Sequence, residues 1–399
     1  MRADEHIVRA ALDDALRQKP DFCFPNRAEA VLALVTAKVL NGNDSKAPYY
    51  LGNLYYDRRQ YDLAQENWEL SARIDPQFAT VHRNLALVYY NKRKDAARAL
   101  AEMETAFALD ETDSRVLMEL DQLYKALQRS YAFRLEVLEK HMQQVSERDD
   151  LVLEHATLLN QLQRYEEAKA IIDSHIFHPW EGGEGKVSGQ YQVSRLEIAK
   201  RNLIPALAKD KAEDCDMAAI DMSIKLLEEC LEFPANIGEG KLYCAQDNDF
   251  YYFLGVAYHL KGDEATAKTM YENGTVGPTE PAAALYYNDA KPDKIFYAAL
   301  CYRALGEEDK ARGLFHKLIS YGEKHIFDHI TMDYFAVSLP DLLVWDGDLD
   351  VSNVIHCNYM LALGHYGLGN RAKAEGYLSE VLRLNVNHYG ALAMKTLMN

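Results

Sequence analysis

Residues 49–56 read Tyr49-Tyr50-Leu51-Gly52-Asn53-Leu54-Tyr55-Tyr56, and Ala64, Trp68 and Pro76 follow at offsets of 12, 16 and 24 from Gly52. This places a small residue where two helices touch, an aromatic one turn later, and then Ala and a bulky side chain on a second helix. Only small side chains let two antiparallel helices approach closely at their crossing, so the spacing predicts a helical hairpin. The same offsets recur at Gly255, Tyr258, Ala267 and Tyr271, at Ala299, Tyr302, Ala311 and Phe315, and at Ala362, His365, Ala374 and Leu378. Fainter copies lie at Ala156, Leu159, Ala168 and Ile172, and around Ala86 and Tyr89, where the second helix has slipped by one residue to Ala99 and Met103. A degenerate unit runs from Leu120 to Leu138. Self-similarity of this kind predicts stacked helix pairs, each burying the face its neighbour leaves open.

Turn chemistry agrees. Lys261-Gly262-Asp263-Glu264, Leu305-Gly306-Glu307-Glu308 and Leu368-Gly369-Asn370 supply Gly as a helix C-cap, and acidic residues open the next helix in two of them. No stretch alternates as a strand would, so the expected fold is all-α, a right-handed α–α superhelix of six to eight pairs. Residues 3–19 and 26–41 read as one further pair. The inner surface of such a superhelix is lined mainly by the first helix of each pair.

The 399 residues carry 44 basic against 61 acidic side chains, a formal charge of −17. That balance argues against a nucleic-acid partner, which needs clustered Lys and Arg to release counterions. No run of apolar residues is long enough for a membrane span. The start, Met1-Arg2-Ala3-Asp4-Glu5-His6, lacks the basic and apolar character of a signal peptide, which points to a cytoplasmic protein or a domain excised from one. Six cysteines are scattered without a Cys-x-x-Cys pair, the pattern of free thiols rather than a disulfide framework or zinc site. The 26 tyrosines suit helix seams and polar-ligand surfaces alike.

The period breaks at four places: 177–191, 233–243, 280–293 and 321–353. The first two share a device. Pro179-Trp180-Glu181-Gly182-Gly183-Glu184-Gly185-Lys186-Val187 and Pro234-Ala235-Asn236-Ile237-Gly238-Glu239-Gly240-Lys241-Leu242 both end in Gly-Glu-Gly-Lys and an aliphatic residue. The onset of these insertions divides the chain into regular repeats over 1–176 and repeats with insertions over 177–399, in one continuous solenoid.

The repeat offsets resemble the tetratricopeptide pattern. Pro20-Asp21-Phe22-Cys23-Phe24-Pro25-Asn26-Arg27, Ala47-Pro48-Tyr49-Tyr50, His82-Arg83-Asn84, the His178-to-Lys186 loop and Asp333-Tyr334-Phe335-Ala336-Val337-Ser338-Leu339-Pro340-Asp341 resemble, more narrowly, the repeat half of a group of large bacterial tetratricopeptide proteins. Members of that group carry an uncharacterised β-sandwich region upstream and are associated with carbohydrate metabolism. The resemblance implies that this chain is a truncated form or the C-terminal half of such a protein.

A phosphate-loop reading of Gly-Glu-Gly-Lys fails: Trp180 stands where the first Gly should be, and Val187 or Leu242 replaces the hydroxyl residue that would hold magnesium. Exposed backbone N–H groups beside a Lys and a Glu remain suited to an anionic or polyhydroxylated ligand. Asp346-Gly347-Asp348-Leu349-Asp350 lacks the sixth-position Gly and twelfth-position Glu of a calcium loop. His325, His329 and Asp333 would form a stripe on a helix, but Ile326 stands where a zinc protease has its Glu, so neither metal nor cofactor is expected. No catalytic residues can be picked out. Aromatic and polar residues in or beside the insertions define the candidate binding set: Trp180, Glu181, Glu184, Lys186, Tyr191, Glu239, Lys241, Tyr243, Asp247, Asn248, Tyr287, Asn288 and Asp289. The two loops are expected to meet on one rim, with both lysines dispensable for stability. The expected role is a scaffold presenting an acidic, Tyr-rich concave surface to a protein or companion domain. The alternative is a carbohydrate-binding or carbohydrate-processing component.

Overall fold

The structure is a computed structural model that describes residues 2–20, 23–180, 182–207, 216–283, 289–331 and 344–398. Regular structure among the described residues is helical throughout. Packing divides the chain into two compact units: unit 1 comprises Met1–Leu127 with Val344–Asp346, and unit 2 comprises Gln128–Leu343 and Gly347–Asn399. This partition follows contact density, whereas a division at residues 176 and 177 follows the onset of the insertions.

Unit 1 holds α1 (Arg2–Arg17), α2 (Ala28–Leu40), α3 (Lys46–Asp57), α4 (Tyr61–Ile74), α5 (Ala79–Asn91), α6 (Ala96–Leu109) and α7 (Ser114–Ala126). The α3–α4 hairpin closes as its residues dictate. Gly52 lies flat against the Trp68 indole, where a Cβ would collide, Ala64 is fully buried, and the indole N–H donates to Asn53 Oδ1 at 3.0 Å. In α5–α6, Ala86, Ala99 and Met103 are likewise without exposure, so the one-residue slip is absorbed without loss of the close approach.

Unit 2 begins with α8 (Tyr131–Lys140), α9 (Met142–Ser146), α10 (Asp149–Gln161) and α11 (Tyr165–Ser174). The long α12 (Lys186–Leu207) and α13 (Met217–Glu229) follow, then α14 (Asn248–Leu260), α15 (Glu264–Gly274), α16 (Pro292–Ala304), α17 (Glu308–His325), α18 (Leu349–Gly367), α19 (Arg371–Leu384) and α20 (Tyr389–Met398). The small residues of the repeat pattern, Ala156, Ala168, Ala267, Ala299, Ala311, Ala362 and Ala374, are at most 1% exposed, and Gly255 abuts the Tyr271 ring. One core runs from Ala199 to Met398. The α12–α13 hairpin adds a pair between the first two insertions, where the offsets mark none. The fourth break is shorter than expected, because α17 continues to His325 and α18 begins at Leu349. Tyr297 and Tyr359 are buried in this core, the Tyr359 hydroxyl donating to Asp293. These tyrosines therefore support the helix stack.

Short turns between helices place one residue in the left-handed region. In the later turns it is Gly262, Gly306 or Gly369, but in the earlier ones it is Arg59, Lys94, Gln128 and Gln163, at intervals of 35, 34 and 35 residues. The period therefore runs through the degenerate stretch near Leu120 as well.

Candidate functional site

The first two insertions meet in unit 2, and the second is folded across the first. Asn236 donates through Nδ2 to the carbonyls of Ile172 (2.8 Å) and His175 (2.9 Å), closing the orphan end of α11. Its own carbonyl accepts from Phe177 N–H at 2.7 Å. Gly238, at φ 69°, passes so close to the Phe177 carbonyl that no Cβ fits. Glu239 then accepts from the N–H groups of Val187 and Ser188, both at 3.2 Å, capping α12 from the other loop. Asp149 holds the start of the first insertion, accepting from the His178 N–H at 2.8 Å and lying 2.6 Å from His175 Nε2. Burial alone would raise this carboxyl, but its bonds to His175 and His178 outweigh burial and hold it below the usual range.

Between the loops lies a recess of about 360 Å³ whose wall includes Trp180, Glu184, Glu239, Gln246, Asp247, Asp289, Lys291 and Lys294. Gly183 packs flat on the Trp180 indole, fixing the ring on the wall. Part of the lining is acidic. Asp247 accepts from Lys241 Nζ at 2.7 Å through Oδ2, while its Oδ1 and the Gln246 Oε1 are buried and meet no donor among the described residues. Burial raises the Asp247 carboxyl, with Lys241 pulling the other way. The lining also carries Lys291 and Lys294 at the start of α16, where the helix dipole disfavours cations. Lys294 is paired with Asp249 and lies 4.5 Å from the centre of the Phe250 ring. Lys291 is exposed in the recess, and crowding by protein atoms, then the charge of Lys294, lowers its pKa.

Of the residues expected here, Trp180, Glu184, Glu239, Asp247 and Asp289 line the recess. Others serve elsewhere. Tyr191 is buried one turn into α12, with its hydroxyl donating to the Glu229 carbonyl and Arg195 3.5 Å over its ring; burial pushes its hydroxyl up to about 12. Asn248 is buried and ties down the chain after α15 through the carbonyls of Gly274 and Val276. Tyr243 is fully exposed and off the wall. Lys241 is a brace: besides Asp247 it donates to the Leu231 carbonyl at 2.7 Å. Lys186 is exposed as the first residue of α12. Glu181, Tyr287 and Asn288 lie outside the described residues.

The other motifs dissolve into local structure. Asp348 caps α18, and Asp350 accepts from the Ile330 N–H and lies 2.8 Å from His329 Nδ1. His325 pairs with Asp328, and Asp333 lies outside the described residues. Cys230, Cys301 and Cys357 are buried free thiols, while Cys23 and Cys244 are exposed. Sequence reading missed Gln246, Lys291 and Lys294. Two lysines at a helix start, against the dipole, were the available signal for the last two.

Among the described residues, no helix is long and apolar enough to cross a membrane. Similar solved structures include YrrB, a TPR protein with an unusual peptide-binding site, at 14% identity over 61% of this chain and 91% of that one, with a TM-score of 0.33. A tetratricopeptide repeat protein from Parabacteroides merdae matches at 13% identity over 73% and 92%, with a TM-score of 0.38. Naa15/Naa10 bound to HypK-THB matches at 11% identity over 96% and 57%, with a TM-score of 0.41. Residues 52–92 match the TPR repeat family and residues 295–321 the tetratricopeptide repeat family. The chain thus carries tetratricopeptide repeats, the building blocks of protein-interaction scaffolds, in both units.

Proposed function

We propose that this chain is a binding module whose unit 2 recess receives an extended segment of a partner protein bearing a basic side chain. The observation that carries this reading is a pair of buried acceptors, Asp247 Oδ1 and Gln246 Oε1, with no donor among the described residues, in two residues that line the recess. A buried acceptor without a donor is costly, and a Lys or Arg from outside would relieve that cost. Trp180 offers the cation an aromatic face. Lys291, also in the lining, suits a carbonyl or carboxylate of the same segment, and the net charge of −17 favours a basic partner at encounter.

Fluorescence anisotropy with labelled Arg- or Lys-containing peptides, and with acidic counterparts, tests the reading. Basic peptides should bind at least ten-fold tighter, and Gln246→Ala, which leaves the Lys241–Asp247 pair in place, should weaken them several-fold. Preference for acidic peptides overturns the proposal. So does binding of an oligosaccharide at the same wall with no binding of basic peptides.

A further inference from the structure

Unit 1 contains three residues remote from the rest of it in sequence, Val344, Trp345 and Asp346. Asn91, buried at the end of α5, donates from Nδ2 to the Val344 carbonyl and accepts at Oδ1 from the Asp346 N–H, both at 2.9 Å. The opposite assignment of that amide would forfeit both bonds. One side chain thus grips the backbone on either side of Trp345, which leaves residue identity to be read by the neighbouring groups. The Trp345 indole is 5% exposed, stands edge-on to Tyr90 at 5.3 Å and donates from Nε1 to the Glu119 carbonyl at 2.8 Å. Asp346 has its Oδ2 3.6 Å from Lys92 Nζ and 3.9 Å from Lys94 Nζ.

A backbone clamp, a pocketed Trp and a basic rim are the parts with which a receptor holds an extended peptide. We infer that the groove between α5 and α7 of unit 1 is a receptor for an extended peptide in which Trp is followed by an acidic residue, and that Val344–Trp345–Asp346 fills it as the chain's own ligand. The occupant in trans is a partner segment of the same chemistry. Tethering gives the internal segment a high effective concentration, so an outside peptide binds well only when that segment is weakened.

The test uses the full chain and a fluorescein-labelled peptide, Val-Trp-Asp-Gly-Asp-Leu-Asp. Trp345→Ala should bind it at least ten-fold tighter than the unaltered chain, and adding Asn91→Ala should abolish that gain. Asp346→Lys keeps the indole but sets like charges against Lys92 and Lys94, and it should admit the peptide several-fold better. Circular dichroism establishes that each variant is folded, and Asp346→Lys provides the answer if Trp345→Ala is not. A peptide with Ala in place of Trp should not bind. If no folded variant captures the peptide better than the unaltered chain, or if the Ala peptide binds equally well, the contact is internal packing and the inference is wrong.

Discussion

Gly183-Glu184-Gly185-Lys186 and Gly238-Glu239-Gly240-Lys241 are the same four residues in the same unit, yet they do different work. In the second copy, Glu239 caps α12 and Lys241 holds Asp247 and the Leu231 carbonyl. In the first copy, Glu184 and Lys186 are exposed, and Gly183 is spent on the Trp180 ring. The difference lies in the chain on the C-terminal side of each tetrapeptide. The first copy runs straight into α12, so its N–H groups are the ones needing an acceptor. The second has six more residues before α14, enough chain to fold back and supply that acceptor. A motif's role is set by the orphan backbone groups within its reach.

The sharpest way to break this comparison is at the glycines. Gly238→Ala forces a side chain into the left-handed region and against the Phe177 carbonyl, a backbone atom that cannot step aside. It should cost about 3 kcal/mol by chemical denaturation. Gly185 is also at positive φ, and the left-handed conformation by itself makes Gly185→Ala cost about 1 kcal/mol. Equal losses would mean that the second loop is no more of a clamp than the first.

The lysines come next. Removing Lys241 leaves the Asp247 carboxylate, only 13% exposed, without its cation. A fully buried pair costs about 3–5 kcal/mol when one partner is removed, and the partial exposure here brings the expectation for Lys241→Ala to about 2 kcal/mol. The double variant Lys241→Ala, Asp247→Ala should recover part of that loss. A loss of that size would overturn the expectation that both lysines are dispensable for stability. A smaller effect belongs to Glu239→Gln, which weakens charge-assisted caps on two N–H groups and should cost about 1 kcal/mol. Amide exchange in the first turn of α12 should quicken in that variant and nowhere else.

Much of the fold is legible because close helix crossings exclude large side chains, which marks Gly52, Ala64, Ala299 and Ala311 by size alone. The turns at Arg59, Lys94, Gln128 and Gln163 are not legible, since a left-handed residue is visible in sequence only when it is Gly. Duplication made the meeting of the two loops legible. The separate roles of Glu184 and Glu239 depend on which helix end lies nearby, and that is a three-dimensional fact. The burial of Tyr191 and Asn248 is not legible for a related reason: they flank the insertions but lie inside helices. Nothing local to Trp345 announces that Glu119 and Asn91, more than two hundred residues earlier, hold it.

The smallest expected effect carries the functional half of the comparison. Glu184 is an exposed carboxylate on the recess wall, and substitutions at such surface positions usually shift stability by no more than about 0.5 kcal/mol. Glu184→Gln should therefore melt with the unaltered chain while weakening a basic peptide in the recess by two- to five-fold, the loss falling as salt is raised because an exposed charge is readily screened. Lys186→Ala should also leave stability within about 0.5 kcal/mol, since an exposed ammonium contributes little to a fold. If Glu184→Gln unfolds the protein as readily as Glu239→Gln, the first loop braces α12 as well, and the division of labour between the copies is lost. If it melts normally and the peptide binds undiminished, Glu184 takes no part in holding the peptide's basic group, which is then left to Asp247 and Gln246.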